Sequence, residues 1–303
     1  MSLSKNNNLK TDMIRTTNQV HYRKVYTGGL NIFYREAGDI RSPTVLLLHG
    51  YPTSSHMFRE LIPILSEKYH VVAPDLPGFG YTETPNRNEF DYTFENLTKS
   101  MQAFIDVLKL TRFAMYVFDF GAPTGYRLAL NNPEKITGII SQNGNAYVEG
   151  LGQDWKPIQE YWEKDTKENR NAIRNLVTLE GTKFQYFTGI SDPSLIAPES
   201  YTLDQHFLNR PGADEIQLDF LKDYRTNVEL YPKFQEYFRA YKPNFLAVWG
   251  DKDPFFLPAG AKAYKRDIPD AIIKFYDTGH FALETHAAAI GREIMAFLET
   301  LPE

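Results

Sequence analysis

The sequence predicts an α/β fold: a mostly parallel central sheet with helices on both faces, interrupted by one inserted helical lid. Two patterns carry the prediction. Between Pro43 and Gly144, short apolar runs alternate with helical stretches, as buried parallel strands joined by right-handed crossovers do. The alternation then stops until Asn244, across a segment rich in Tyr, Trp and Gln with helical periodicity, and afterwards resumes. A third observation is negative. The 303 residues include no cysteine, so neither disulfides nor cysteine-bound metals or clusters can organise the chain.

Taken in order, the first residues, MSLSKNNNLKTD, are polar and unpatterned, and 1–14 read as a disordered tail. VHYRKVYT and LNIFYREAG, separated by Gly28-Gly29, read as an antiparallel hairpin. The strand TVLLLHG follows, then a helix near Ser55 to Glu67, the strand HVVAPD, a helix near Phe94 to Leu108, and the strand FAMYVFDFG. A helix near Thr124 to Asn131 leads to the strand ITGIISQNG. After the insertion come FLAVWGDKD, a helix near Ala259 to Lys265, the strand IIKFYD and a last helix from about Ala282 to Leu298. Residues 15–145 and 242–303 are therefore expected to form the core and 146–241 a helical cap. No internal repeat or low-complexity block disturbs this reading.

Composition narrows the function. With 33 Lys and Arg against 38 Asp and Glu, the net charge of -5 excludes a nucleic-acid binder driven by bulk charge. No apolar run approaches the roughly 20 residues that span a bilayer, and the N-terminus lacks the apolar stretch of a secretory signal, so a cytoplasmic location without membrane partners is expected. Chemistry must come from Asp, Glu, His, Ser, Tyr or Lys.

In an open parallel sheet ligands sit beyond the carboxyl ends of the strands. Those ends carry Tyr51-Pro52 after VLLLHG, Asp75 after HVVAP, Asp119 after MYVF, Asp251 or Asp253 after FLAVWG, and His280 after KFYDTG. Asp119 lies in VFDFG, a strand-to-helix turn with the spacing of G-x-S-x-G, Asp in the Ser position and Val117 replacing the first Gly. An Asp before a helix is commonly just an N-cap, and a single His is commonly structural. His49 reads as support for its loop. His280, Glu284 and His286 do not make a metal site, because residues six apart on a helix diverge and H-E-x-x-H is absent. Gly78-Phe79-Gly80 reads as a turn.

Taken together, HGYP at 49–52, the Asp elbow at 117–121, GDKDP at 250–254 and GHF at 279–281 strongly resemble the α/β-hydrolase superfamily, and within it the epoxide hydrolase and haloalkane dehalogenase branch. The resemblance covers nearly all of residues 20 to 300. It implies Asp119 as nucleophile, His280 as base, Asp253 as the acid that orients it, and the backbone N–H groups of Tyr51 and Phe120 as oxyanion donors. It implies no cofactor and no metal, a small apolar organic substrate with water as co-substrate, and it admits a homodimer. Asp suits such chemistry because a carboxylate, with a reference pKa of about 3.9, is ionised at neutral pH and attacks a saturated carbon without a base.

The two branches differ at the leaving group. Epoxide hydrolases of this kind supply two lid tyrosines; Tyr186 in FQYFTG and Tyr224 in DYRTN resemble such a pair, with Tyr161 and Tyr231 as reserves. Dehalogenases resemble one another in placing a Trp after the nucleophile and a Trp or Asn opposite. Phe120 and Tyr51 depart from that pattern, which favours epoxide hydrolysis, while Trp155 and Trp162 in the lid keep halide binding open, Trp162 being the substrate contact expected. A fluoroacetate-type enzyme is disfavoured, since Phe120 and Pro123 stand where arginines would and Arg127 lies further along. A non-catalytic small-molecule receptor of the same fold is the third reading.

Overall fold

The computed structural model describes residues 19–302; the expected tail at 1–14 lies outside them. Eight strands are present: β1 (His21–Thr27), β2 (Leu30–Ala37), β3 (Thr44–Leu48), β4 (His70–Pro74), β5 (Phe113–Phe118), β6 (Ile136–Gln142), β7 (Phe245–Gly250) and β8 (Ile272–Tyr276). They form one sheet in the order β1-β2-β4-β3-β5-β6-β7-β8. β1 pairs β2 and β2 pairs β4 antiparallel, and the pairs from β4 onward are parallel. β1 is an edge strand, and its Tyr22 and Tyr26 are exposed.

Central strands are apolar on both faces because both are covered. Along β5, Met115 and Val117 enter one core while Ala114, Tyr116 and Phe118 enter the other, the two-residue alternation of a pleated strand. Helices α1 (Leu61–Leu65), α2 (Phe94–Val107) and α3 (Gly121–Asn131) connect the early strands. Between β6 and β7 lie α4 (Lys156–Glu163), α5 (Lys167–Ala172), α6 (Leu179–Phe187), α7 (Pro198–Leu208), α8 (Ala213–Asp223) and α9 (Arg225–Tyr241), and α10 (Pro258–Asp267) and α11 (Ala282–Leu298) complete the chain.

Two predicted helices differ in detail. The stretch near Ser55 to Glu67 divides into a short turn at Ser55–Phe58 and the five-residue α1. α3 begins at Gly121 rather than Thr124, directly after the turn that carries Asp119. No helix among the described residues is long and apolar enough to cross a membrane.

The strand order explains where a site can form. β3 precedes β4 and β5 in sequence, yet β4 and β5 flank it on opposite sides. This reversal of direction opens a crevice beyond the carboxyl ends of β3 and β5. Leu48 and Val117 are register partners, so the loops that leave those strands, with Tyr51 and Asp119, start side by side.

Candidate active site

Asp119 occupies the left-handed backbone region at φ 47, where a non-glycine residue carries roughly 1–3 kcal/mol of strain. The turn tolerates it because Gly121 lets α3 close against the sheet: a side chain there would run into the carbonyls of Leu48 and His49. Ala122 N–H donates to the Asp119 carbonyl at 3.0 Å, and the N-cap of α3 is Phe120. The Asp119 side chain is thus not a helix cap. Its Oδ1 accepts Tyr51 N–H at 2.6 Å, and the neighbouring Phe120 N–H also pulls the carboxylate's pKa down. Both expected backbone donors therefore converge on it. Burial pushes its pKa up to about 6, against the opposing pull of His280 and these donors.

Asp253 and His280 arrive from the ends of β7 and β8. His280 Nδ1 and Asp253 Oδ2 are 2.7 Å apart, and His280 Nε2 lies 3.8 Å from Asp119 Oδ2. Burial works against the imidazolium, but Asp253 and Asp119 together outweigh it and hold His280 above its ordinary value. Of the two acids after β7, Asp251 is exposed and Asp253 is buried against the histidine. Rings of Phe118, Phe255, Phe256 and Phe281 surround His280, Phe118 at 4.6 Å between centroids.

Asn143, which sequence reasoning missed, completes the acid's environment. It follows β6 in the left-handed region at φ 43, donates Nδ2–H to Asp253 Oδ2 at 2.7 Å, and accepts Gly250 N–H at 3.0 Å. Phe255 N–H donates to Asp253 Oδ1 at 2.8 Å, so the carboxylate has three donors including His280. The strand-end rule that singled out the other residues also marks Asn143. Gln142 beside it donates Nε2–H to the His280 carbonyl at 3.2 Å.

His49 ties the loop after β3 to the loop after β4: its Nε2 accepts Leu76 N–H at 2.9 Å and its Nδ1–H donates to the Gly50 carbonyl at 2.9 Å. Burial lowers its pKa, and the neutral ring fits this pair of bonds. Asp75 accepts backbone N–H groups of Ser55 and Tyr81, a purely structural arrangement. Glu284 is held by Arg59 and Ser200, and Arg127 by Thr226 and Asn227 of α9, which keeps all of these away from Asp119.

Beside Asp119 and His280 lies a small cavity of about 20 Å³, walled by Tyr51, Phe120, Trp155, Leu176, Gln185 and Leu221 among others. That is room for one water. The lid residues expected there are placed otherwise. Tyr186 is absent from the wall: its hydroxyl donates to Asp204 Oδ2 at 2.5 Å and its ring stacks on Phe281 at 4.0 Å. The neighbouring Gln185 faces the cavity instead, because successive helical residues point about 100° apart. Tyr224 lies one layer behind the wall, 4.4 Å from the Trp155 ring, its hydroxyl 3.5 Å from that of Tyr231. Trp162 donates Nε1–H to the Leu221 carbonyl at 2.7 Å and stacks on Tyr224, so it packs the lid rather than contacting a ligand. Tyr161 accepts from Arg170, and Tyr231 from Asn145.

A groove of about 530 Å³ on the outer side of the cap shares Ile158, Leu176 and Phe255 with the cavity wall. These three side chains lie between the two spaces.

Comparison with known proteins agrees with this architecture. A family model described as alpha/beta hydrolase fold matches residues 43–287. The chain is 47% identical over 272 residues to a Saccharomyces cerevisiae protein named uncharacterized hydrolase YNR064C, covering 88% of this chain and 93% of that one. It is 36% identical over 292 residues to a haloalkane dehalogenase of Psychrobacter cryohalolentis, covering 90% and 89%. Among solved structures, the epoxide hydrolase VrEH1 from Vigna radiata superposes with a TM-score of 0.73 at 24% identity over 92% of this chain and 98% of that one, a likeness of fold. An eight-stranded sheet with this crevice, a family match over most of the length and relatives that span nearly the whole chain lead to one conclusion: the protein belongs to the α/β-hydrolase fold family.

Proposed function

We propose that this hydrolase forms an alkyl ester on Asp119 and then hydrolyses it, with a small apolar epoxide as the leading substrate class. The observation that carries the reading is the buried, strained Asp119 carboxylate, bonded by Tyr51 N–H with the His280 and Asp253 pair aligned behind it.

The chemistry follows from the groups present. An Asp119 oxygen attacks a saturated carbon; a C–O ester bond forms, the carbon's bond to the leaving atom breaks, and its electron pair departs with that atom. The ester carbonyl oxygen stays between the Tyr51 and Phe120 N–H groups, each such donor being worth about 3 kcal/mol when negative charge develops there. Ester formation also removes the Asp119 charge, one of the influences that hold His280 up, so the imidazole becomes freer to act as a base at the step that needs one. His280 then takes a proton from water as hydroxide adds to the carbonyl, and returns it to the departing alcohol. Asp253, braced by Asn143 and the Phe255 N–H, holds the imidazole and supports its charge.

The lack of a free tryptophan N–H favours the epoxide over the halide. Both lid tryptophans give their N–H to backbone carbonyls, Trp155 to Phe255 and Trp162 to Leu221, and Phe120 has no side-chain donor. The Tyr224 hydroxyl is held only by a 3.5 Å contact and lies close enough to feel the Asp119 charge. Dehalogenation is the second reading, favoured by the Psychrobacter relative's name.

Intact-mass analysis of His280→Gln protein incubated with short epoxides and haloalkanes tests the reading. An adduct mapped to Asp119 that gains the whole substrate mass supports epoxide opening, and one lacking the halogen supports dehalogenation. No adduct with either panel would sink both and favour a small-molecule binding role.

A further inference from the structure

Gln185 has no place in the chemistry described so far, yet it lines the same cavity as Asp119 and His280. It is 3% exposed; its Nε2 makes no hydrogen bond within 3.5 Å among the described residues, and the Tyr51 hydroxyl beside it can occupy at most one of its two N–H groups. The other side-chain donors of the wall are engaged: the Tyr51 hydroxyl donates to the Leu176 carbonyl at 2.6 Å and Trp155 Nε1–H to the Phe255 carbonyl at 3.1 Å. A buried amide donor left open beside a reactive carboxylate calls for a ligand atom that accepts from it. We infer that Gln185 donates a hydrogen bond to the atom displaced from the substrate carbon when Asp119 attacks.

This inference rests on the ester mechanism above and specifies who receives the leaving charge. The cavity is about one water across, so an atom displaced from the attacked carbon comes within reach of the facing amide. An amide N–H gives a hydrogen bond and keeps its proton. An epoxide oxygen, leaving as alkoxide with the C–O electron pair, therefore takes its proton from water; solvent regains one when the hydrolysed Asp119 carboxylic acid ionises. A halide leaves as the anion and needs no proton. Tyr186, the neighbour expected to do this work, is bound to Asp204 and points elsewhere. Gln185 supplies the donor one position earlier on the same helix, and the class of substrate is one whose leaving atom accepts hydrogen bonds.

The test separates ester formation from ester hydrolysis. In the His280→Gln background, the rate of adduct formation on Asp119 is followed by intact mass with a short 1,2-epoxide and with chloro- and bromoalkanes of equal length, with and without Gln185→Leu. With the substrate class that reacts, Gln185→Leu is expected to slow adduct formation at least tenfold, more for chloride than for bromide if haloalkanes react, because the poorer leaving group depends more on stabilisation. Gln185→His, which keeps a donor, is expected to recover part of the rate. With His280 intact, pre-formed ester in Gln185→Leu is expected to hydrolyse within about twofold of the parent, a split that a general loss of structure would not give. Adduct formation at the parent rate in Gln185→Leu overturns the inference, whereas absence of adduct with Gln185 intact overturns the ester mechanism itself. If Gln185→Leu does not fold, Gln185→Met takes its place under the same criteria.

Discussion

Asp119 combines two costs that a structural aspartate would avoid: a left-handed backbone and burial that lifts its pKa to about 6. Strain and desolvation concentrated on one residue are the mark of a site that needs a projecting, poorly solvated nucleophile. The pH dependence follows. In the proposed mechanism only the ionised carboxylate attacks, so single-turnover ester formation should fall as pH drops through about 6, well above the range of an ordinary aspartate. His280 likewise acts as base only when neutral; in the ester the Asp119 charge is gone and Asp253 alone still holds the imidazolium, so hydrolysis of the ester should climb with pH as the imidazole loses its proton. Rapid-quench measurement of the two steps between pH 5 and 9 checks both limbs; a flat alkylation rate across pH 6 would contradict the first. Asp253→Asn is expected to slow turnover roughly a thousandfold or more, since an amide keeps one acceptor oxygen and cannot both accept from Phe255 N–H and orient the charged imidazole that shares the other oxygen with Asn143. Near-normal turnover would remove Asp253 from the mechanism. These residues were legible in the sequence because each directly follows an apolar run, and strand ends are where an open sheet exposes side chains.

Helices make the lid harder to read, and α6 shows why. Its sequence LEGTKFQYF places apolar or aromatic side chains around much of the helix, so no stripe declares which side faces inward. FQYF was legible as a lid segment, but a shift of one position exchanges Gln185 for Tyr186, and only the packing of Tyr186 on Phe281 and Asp204 sets the phase. The same packing buries Asp204 with one carboxylate oxygen unpartnered and drives its pKa up to about 7. A raised folded value means that the contribution of its neutral form is present below the unfolded pKa and lost as pH rises through about 7. Asp204→Asn is therefore expected to gain melting temperature relative to the parent at pH 8 and to show a smaller gain, or a loss, at pH 5. An equal offset at both pH values would show that burial of its charge is not what matters. In the turn after β5, Gly121→Ala should destabilise by at least about 2 kcal/mol in denaturant unfolding, because its methyl group meets backbone carbonyls of β3 and its loop, which cannot step aside.

At the scale of the whole molecule, the space beside Asp119 and His280 measures only about 20 Å³, room for a water but not for an organic substrate. The outer groove meets it at Ile158, Leu176 and Phe255, so substrate entry requires these side chains to move. Leu176 is the informative one, its carbonyl being fixed by Tyr51 while its side chain stands between the two spaces. Leu176→Ala should raise kcat/KM more for long-chain substrates than for short ones, measured across a homologous series. A uniform change across that series would place entry elsewhere.

The sequence by itself determined the order of strands and helices, the inserted helical segment and the strand-end acids and histidine, because these rest on local periodicity and on short-range turn chemistry. Tertiary structure decided what periodicity does not encode. The sheet order brings Asp119, Asp253 and His280 together from positions far apart in the chain, sets Asp253 rather than the exposed Asp251 against His280, and adds Asn143 beside it. It turns Gln185 toward the cavity, Tyr186 away from it onto Phe281 and Asp204, and Trp162 onto a carbonyl. Helix phase and side-chain partnership depend on which surfaces meet, and that is settled only when the lid packs on the sheet.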